Sequence, residues 1–196
     1  MAYKYDVFLS YPRRAGAGEW VQQLFHPALE KSLTHAMPRD PMIFVDWRQE
    51  TGVSWPENLA TALQESRVMV SVLSPPYFRS RWCVAEWSTM RRRQELLRLG
   101  TRRHPSGLIH PVVFADGNHF PPEVHEIMHV DLSDWGYDLP YETYSRCPVY
   151  LDFRKAVRSF AITLARCIDE APDWQPDWPI VEAEPMPEVR ADIPRL

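Results

Sequence analysis

An α/β fold with a parallel five-stranded sheet covered by helices on both faces is the architecture this sequence predicts, on three observations. Five short apolar runs of strand length recur along the chain, at Tyr5–Leu9, Met42–Val45, Arg67–Leu73, Leu108–Phe114 and Met128–Leu132. Segments with helical spacing separate most of them, which is the grammar of parallel strands joined by crossover helices. The central run, Arg67 to Leu73, is apolar enough to be buried on both faces, breaks at Ser74-Pro75-Pro76, and is followed by a helical pattern that opens on Trp82-Cys83.

Composition sets the outer bounds. The chain has 196 residues, 45% hydrophobic and 24% charged, which suits one globular domain with an appendage. A formal charge of −4 gives no overall attraction to nucleic acid. The three cysteines, Cys83, Cys147 and Cys167, form no C-x-x-C pair and leave at least one thiol unpaired, which argues for a reducing compartment. The N-terminus runs almost directly into a strand without signal-peptide architecture, and no apolar run approaches membrane-spanning length. The expectation is a cytoplasmic protein with no membrane and no nucleic-acid partner.

The elements follow in order. Tyr5–Leu9 is the first strand, and Ser10-Tyr11-Pro12-Arg13-Arg14 leads into a small-residue loop ending at Gly18. A helix over 19–35 turns Trp20, Leu24, Ala28, Leu29 and Leu33 inward, and Pro27 predicts a kink or two shorter helices. After the second strand, the polar stretch from Asp46 to Val53 is a loop. Ser54-Trp55-Pro56-Glu57 reads as a capping box opening a helix carried by Leu59, Ala62, Leu63 and Ser66. The third strand precedes a helix from Arg81 to about Leu99 that carries Glu86. Pro111 predicts that the fourth strand is split or lies near an edge. A short helix over 121–127, the fifth strand and a last helix over 150–169 complete the domain, the last with Phe153, Val157, Phe160, Leu164 and Ile168 at helical spacing. From Ala171 onward six prolines and six acids against two arginines mark an extended, irregular tail. The division expected is residues 1–170 as the domain and 171–196 as a Pro-rich acidic tail.

With these connection lengths the flavodoxin-like order 2-1-3-4-5 is the arrangement expected, and ligands of such sheets bind where the order reverses, between strands one and three. That crevice collects the ends of Tyr5–Leu9 and Arg67–Leu73, and hence Ser10, Tyr11, Arg13, Arg14, Trp82 and Glu86, with the Asp46–Trp55 loop able to cover it. A carboxylate in the first turns of a helix there is either a ligand group or an acid favoured by the helix dipole. Trp82 is a stacking partner or a core anchor, and Arg13 and Arg14 are phosphate ligands or solvated loop charges. Flavin binding is disfavoured, because Pro12-Arg13-Arg14 is not a phosphate-cradling Ser/Thr/Gly loop.

Two other motifs carry chemistry on paper. His125-Glu126-Ile127-Met128-His129 matches H-E-x-x-H, the zinc-peptidase signature, which works only on a continuous helix. Here Met128–Leu132 reads as a strand and separates the histidines, so no metal site is expected. The arginines Arg91, Arg92, Arg93, Arg98, Arg102 and Arg103 read as a solvated face or an assembly surface rather than a nucleic-acid patch.

The same segments resemble a Toll/interleukin-1 receptor (TIR) domain over roughly residues 3 to 168. Tyr5-Asp6-Val7-Phe8-Leu9-Ser10-Tyr11 is similar to its first box, and Asp46 through Gly52 to Trp55 to its second-box loop. The run Ser74-Pro75-Pro76-Tyr77-Phe78-Arg79-Ser80-Arg81-Trp82-Cys83-Val84-Ala85-Glu86 resembles, in register, the S-x-x-Y-x-x-S-x-W-C-x-x-E pattern of plant and bacterial members. The resemblance implies that Glu86 is a catalytic glutamate cleaving the nicotinamide–ribose bond of NAD+, giving ADP-ribose or a cyclic isomer. It implies Ser10, Tyr11, Arg13, Arg14, Asp46, Trp55, Trp82 and Cys83 around the substrate, no separate cofactor, and activation by self-association in an immune or stress response with a partner effector or sensor. Two departures stand out. The first-box loop lacks the acidic residue common after the Ser-Tyr and is similar instead to the arginine-bearing loop of the animal NAD-cleaving member. The Phe-Trp pair of receptor TIR domains is not evident, which weakens a receptor-adaptor reading. A non-catalytic self-association module is the alternative that the same resemblance allows.

Overall fold

Strict alternation along the strands divides the core into two layers. In the computed structural model, which describes residues 2–14, 16–46, 55–101, 104, 106–115, 117, 120–125, 127–136 and 140–183 (of 55–57 and 123 the backbone alone), β1 spans Tyr5–Ser10, β2 Ile43–Val45, β3 Ser66–Leu73, β4 Ile109–Val113 and β5 Val130–Asp131. All pairings are parallel and the order is β2-β1-β3-β4-β5, as the sequence predicts. Val7, Leu9, Val68, Val70, Val72 and Val112 point to one face, and Phe8, Met69, Leu73, Ile109 and Val113 to the other. Because successive side chains alternate, both layers must be covered, and helices cover both.

The first face is packed by α1 (Ala17–Trp20), α2 (His26–Ala36) and the last helix, α8 (Val149–Asp169). The first helical segment is two shorter helices, one of the two forms that Pro27 predicts. A single π turn, Val21–Phe25, joins α1 to α2, with the His26 N–H reaching back to the Val21 carbonyl, and Pro27 follows directly at the start of α2. The second face is packed by α3 (Trp55–Gln64), α4 (Pro75–Arg79) and α5 (Arg81–Leu96). The Ser74-Pro75-Pro76 break thus holds a one-turn helix, α4, its prolines again in the first turn. The remaining short helices are α6 (Pro122–His125) and α7 (Tyr141–Tyr144).

Two expectations change and one is narrowed. Ser66, read as the last inward residue of the helix before it, opens β3, since α3 stops at Gln64. The fourth strand is not split but lies near an edge, the second of the two expected alternatives: β4 is continuous between β3 and the two-residue edge strand β5. Met69 N–H donates to the Leu108 carbonyl and Phe114 N–H to that of Leu73, so even-numbered β4 residues bond β3. Pro111 therefore turns its nitrogen toward β5, which begins only opposite Val112, and no ladder bond is lost. The fifth strand shrinks to two residues, Val130 and Asp131. The Ser54–Glu57 capping box lies outside the described residues except for the Trp55–Glu57 backbone. No described helix is long and apolar enough to cross a membrane.

Candidate functional site

The switch point between β1 and β3 holds a buried acid. Ser80 caps α5, its hydroxyl accepting the Cys83 N–H at 3.4 Å, and this fixes the register in which Cys83, Glu86, Thr89, Met90 and Arg93 turn toward the protein. Glu86 is 8% exposed. Its Oε2 accepts a hydrogen bond of 2.5 Å from the Ser10 hydroxyl, at the end of β1. Ser10 has one proton and gives it to Glu86, so the Tyr77 hydroxyl, 2.8 Å from Ser10 Oγ, is the donor to Ser10. The result is a buried chain, Tyr77 to Ser10 to Glu86, drawn from α4, β1 and α5.

Electrostatics set the protonation of that acid. Burial removes Glu86 from water and pushes its pKa up to about 8, with Asp46 adding to the rise and the Ser10 hydrogen bond and Arg13 opposing it. Burial, aided by Glu86, also pushes the Cys83 thiol up to about 12, so Cys83 is a neutral thiol at physiological pH rather than a nucleophile. Asp46, just past β2, ties the loops together: its carbonyl accepts from the Tyr11 hydroxyl at 3.0 Å, and its carboxylate pairs with the Arg13 guanidinium. Gly18 makes room for this loop, because a Cβ there would come within 2.9 Å of the Arg13 carbonyl oxygen.

A cavity of about 430 Å³ lies between α3 and α5, with Glu86 among its lining residues. Leu59, Ala60 and Leu63 line it from α3, Trp82, Ala85, Glu86 and Thr89 from α5, and Ile180 to Ala183 from the C-terminal segment. The Trp82 ring carries the Arg81 guanidinium over its face at 4.8 Å.

Of the residues singled out from sequence, the fold gathers Ser10, Tyr11, Arg13, Asp46 and Glu86 at the crevice, with Trp82 on the cavity wall. Cys83 is buried beside Tyr77 and Trp87, within electrostatic reach of Glu86, Arg13 and Tyr11. Arg14 is exposed and forms no ion pair among the described residues. The Trp55 side chain lies outside the described residues. Tyr77 and Thr89 were not among the candidates. Thr89 was within reach of periodicity, since it follows Glu86 by three residues on one helix face. Tyr77 was visible only as a member of the Ser74–Glu86 run. Arg93, read from sequence as part of a solvated or assembly face, is fully buried and donates to the carbonyls of Ser66 at 2.9 Å and Leu63 at 3.0 Å. The histidines of the H-E-x-x-H motif do not share a helix, because α6 ends at His125 and His129 directly precedes β5. No group of three potential ligands sits together among the described residues.

A parallel 2-1-3-4-5 sheet with a glutamate at its switch point defines an α/β protein of the flavodoxin-like class. A family model described as "TIR domain" matches residues 7–145, and the chain belongs to that family. Among solved structures, the TIR domain of the Toll-related receptor TRR-2 from Hydra magnipapillata is similar at 19% identity and a TM-score of 0.47, covering 78% of this chain and 98% of that one. The TIR domains of the activated Roq1 resistosome recognising the pathogen effector XopQ are similar at 21% identity and a TM-score of 0.40, covering 85% of this chain and 96% of that one. No curated protein matches.

Proposed function

We propose that this TIR domain cleaves the bond between nicotinamide and ribose in NAD+, with Glu86 as the catalytic carboxylate and self-association as the activating step. The observation that supports it is a glutamate buried at the switch point, held by one hydroxyl and lining a cavity. In the reaction the C1′–N bond breaks, its electron pair leaves with nicotinamide as a neutral molecule, and positive charge develops on the ribose. Water adding at C1′ and losing a proton gives ADP-ribose; attack by an adenine nitrogen gives the cyclic isomer. The leaving group carries its own positive charge in the ground state, so no strong acid is needed. What is needed is negative charge beside the ribose, in a site shielded from water.

Glu86 supplies that charge once ionised. With a pKa near 8 it is largely protonated at neutral pH in the free protein. The cationic nicotinamide ring favours the carboxylate and draws the ionisation down when substrate binds. Ser10 orients the carboxylate through Oε2. Trp82, on the cavity wall, offers a ring for stacking, and Arg13 offers a cation to the pyrophosphate in exchange for Asp46.

The test is nicotinamide release from NAD+ by purified protein at high concentration or with a crowding agent. Glu86→Gln should lower the rate at least about a hundredfold, in line with the loss of one electrostatic stabiliser of the transition state, while circular dichroism stays unchanged. Undiminished release in that variant would remove Glu86 from this role. No release in any assembled state of the parent chain would favour a self-association module.

A further inference from the structure

The C-terminal segment after α8 is more than an irregular end. Residues 171–183 form no helix or strand, yet they cross from the α8 side of the sheet to the groove between α3 and α5. Trp178 is 5% exposed and lies against the Arg93 guanidinium, 5.0 Å from its ring centroid. Two hydrogen bonds fasten the backbone to both walls of the groove. The Trp178 carbonyl accepts from Gln64 Nε2 on α3 at 2.9 Å, and the Val181 N–H donates to Thr89 Oγ1 on α5 at 2.9 Å. Passing Arg93 and then Thr89, the segment runs antiparallel to α5 toward Glu86, and Ile180 to Ala183 form a wall of the Glu86 cavity.

We infer that the α3–α5 groove is a peptide-docking surface for an extended, acidic, tryptophan-bearing segment, and that the chain's own residues 174–183 are its built-in occupant, closing the Glu86 cavity until they are displaced. Three observations carry this. The groove offers what such a peptide needs: a cation for an indole face, a side-chain donor for a backbone carbonyl and a hydroxyl acceptor for a backbone N–H. The occupant is anionic like the expected ligand, since residues 171–183 carry Asp173, Asp177 and Glu182 with no lysine or arginine, and Glu182, which lines the cavity, would repel a pyrophosphate there. With the segment in place the cavity holds about 430 Å³, toward the lower end of the ~300–1,000 Å³ of pockets for drug-sized ligands, and a dinucleotide is larger than those. The Tyr3 hydroxyl, just ahead of β1, faces both Trp178 and Arg93 and completes the seat.

The closing of the cavity rests on the activity proposed for Glu86; the docking does not. Both are tested in the full chain. Hydrogen exchange should show the Val181 amide protected in the parent chain, independently of protein concentration. Trp178→Ala should reduce that protection at least about tenfold, Thr89→Val should act in the same direction more weakly, and nicotinamide release should rise several-fold in Trp178→Ala. A Val181 amide exchanging at the rate of an unstructured peptide in the parent would overturn the docking. Protection that grows with concentration would overturn occupancy by the chain's own segment. Release that is unchanged or slower in a variant whose segment is free would overturn the closing. If neither parent nor variant releases nicotinamide, the proposed activity fails by itself, and carbodiimide labelling of Glu86 replaces the rate: faster labelling in Trp178→Ala supports the cover, equal labelling removes it.

Discussion

The two ends of β1 each sit beside a buried carboxylate, and the fold treats them in opposite ways. Asp6, near the start of the strand, is 2% exposed and fully engaged. Arg39 reaches both its oxygens, Arg67 Nε lies 3.6 Å away, and the Met42 N–H donates to Oδ2 at 2.9 Å. Those partners come from the start of β3 and the approach to β2, so this carboxylate clamps three strands at one end of the sheet. Glu86, beyond the other end, is buried nearly as deeply, but Ser10 is its one hydrogen-bond partner among the described residues. The nearby cation, Arg13, is held by Asp46. A buried charge matched by cations and an N–H serves the structure; one left without a counter-ion keeps its electrostatic capacity for a ligand.

That contrast breaks first on stability. Asp6→Ala leaves the Met42 N–H and two guanidinium groups without their acceptor, and should cost about 3 kcal/mol, at the lower end for a broken buried pair because Arg39 is half exposed. Urea denaturation measures it, and a loss within experimental error would mean that the clamp is dispensable.

The second effect is the dependence of stability on pH. Glu86 has a pKa of about 8 in the folded protein, against roughly 4.3 in an unfolded chain. The folded state therefore holds the proton through that window. The stability this contributes is fully present below about pH 4.3 and is lost as pH climbs to about 8, by up to ~1.4 kcal/mol per pH unit. Glu86→Gln carries no such proton. Between pH 5.5 and 7.5 the parent chain should lose about 2 kcal/mol relative to the variant, read from paired urea curves at the two pH values. Parallel pH profiles would show that Glu86 ionises at an ordinary value.

How much of this contrast was legible in the sequence depends on what each residue needs. The strands were readable because Val7, Leu9 and Val68–Leu73 must be apolar on both faces, and such runs have few other uses. Glu86 was readable because a strand, a proline break and a helix place it in one dimension at the crevice. Arg93 was not, since its burial depends on the end of α3 and the start of β3 presenting the Leu63 and Ser66 carbonyls at the right distance. Pro111 left two alternatives open for a related reason. Whether a missing N–H matters depends on which neighbour it faces, and that is set by the pairing register rather than the strand's own residues. The seat of Trp178 is likewise formed by Gln64 and Arg93, far away in the chain. Periodicity shows which face is apolar, whereas these features are pairings between faces.

The smallest effect separates orientation from charge within the site. The Ser10 hydroxyl is the one group on Glu86 that stabilises the ionised form by a hydrogen bond, and it opposes the rise caused by burial. A hydrogen bond to a charged group contributes about 1.5 kcal/mol, equivalent to roughly one pKa unit. Ser10→Ala should therefore move the rising limb of kcat/KM for nicotinamide release upward by about one pH unit and slow release roughly tenfold at pH 7. The rate on the high-pH plateau should fall much less, because the carboxylate is ionised there with or without Ser10. Tyr77→Phe removes a donor to Ser10 rather than to Glu86, so its shift should be in the same direction and smaller. If the Ser10→Ala limb stays in place while the plateau falls, Ser10 acts by positioning the carboxylate; a limb moving downward would mean that Ser10 accepts a proton from a neutral Glu86 instead of donating to it.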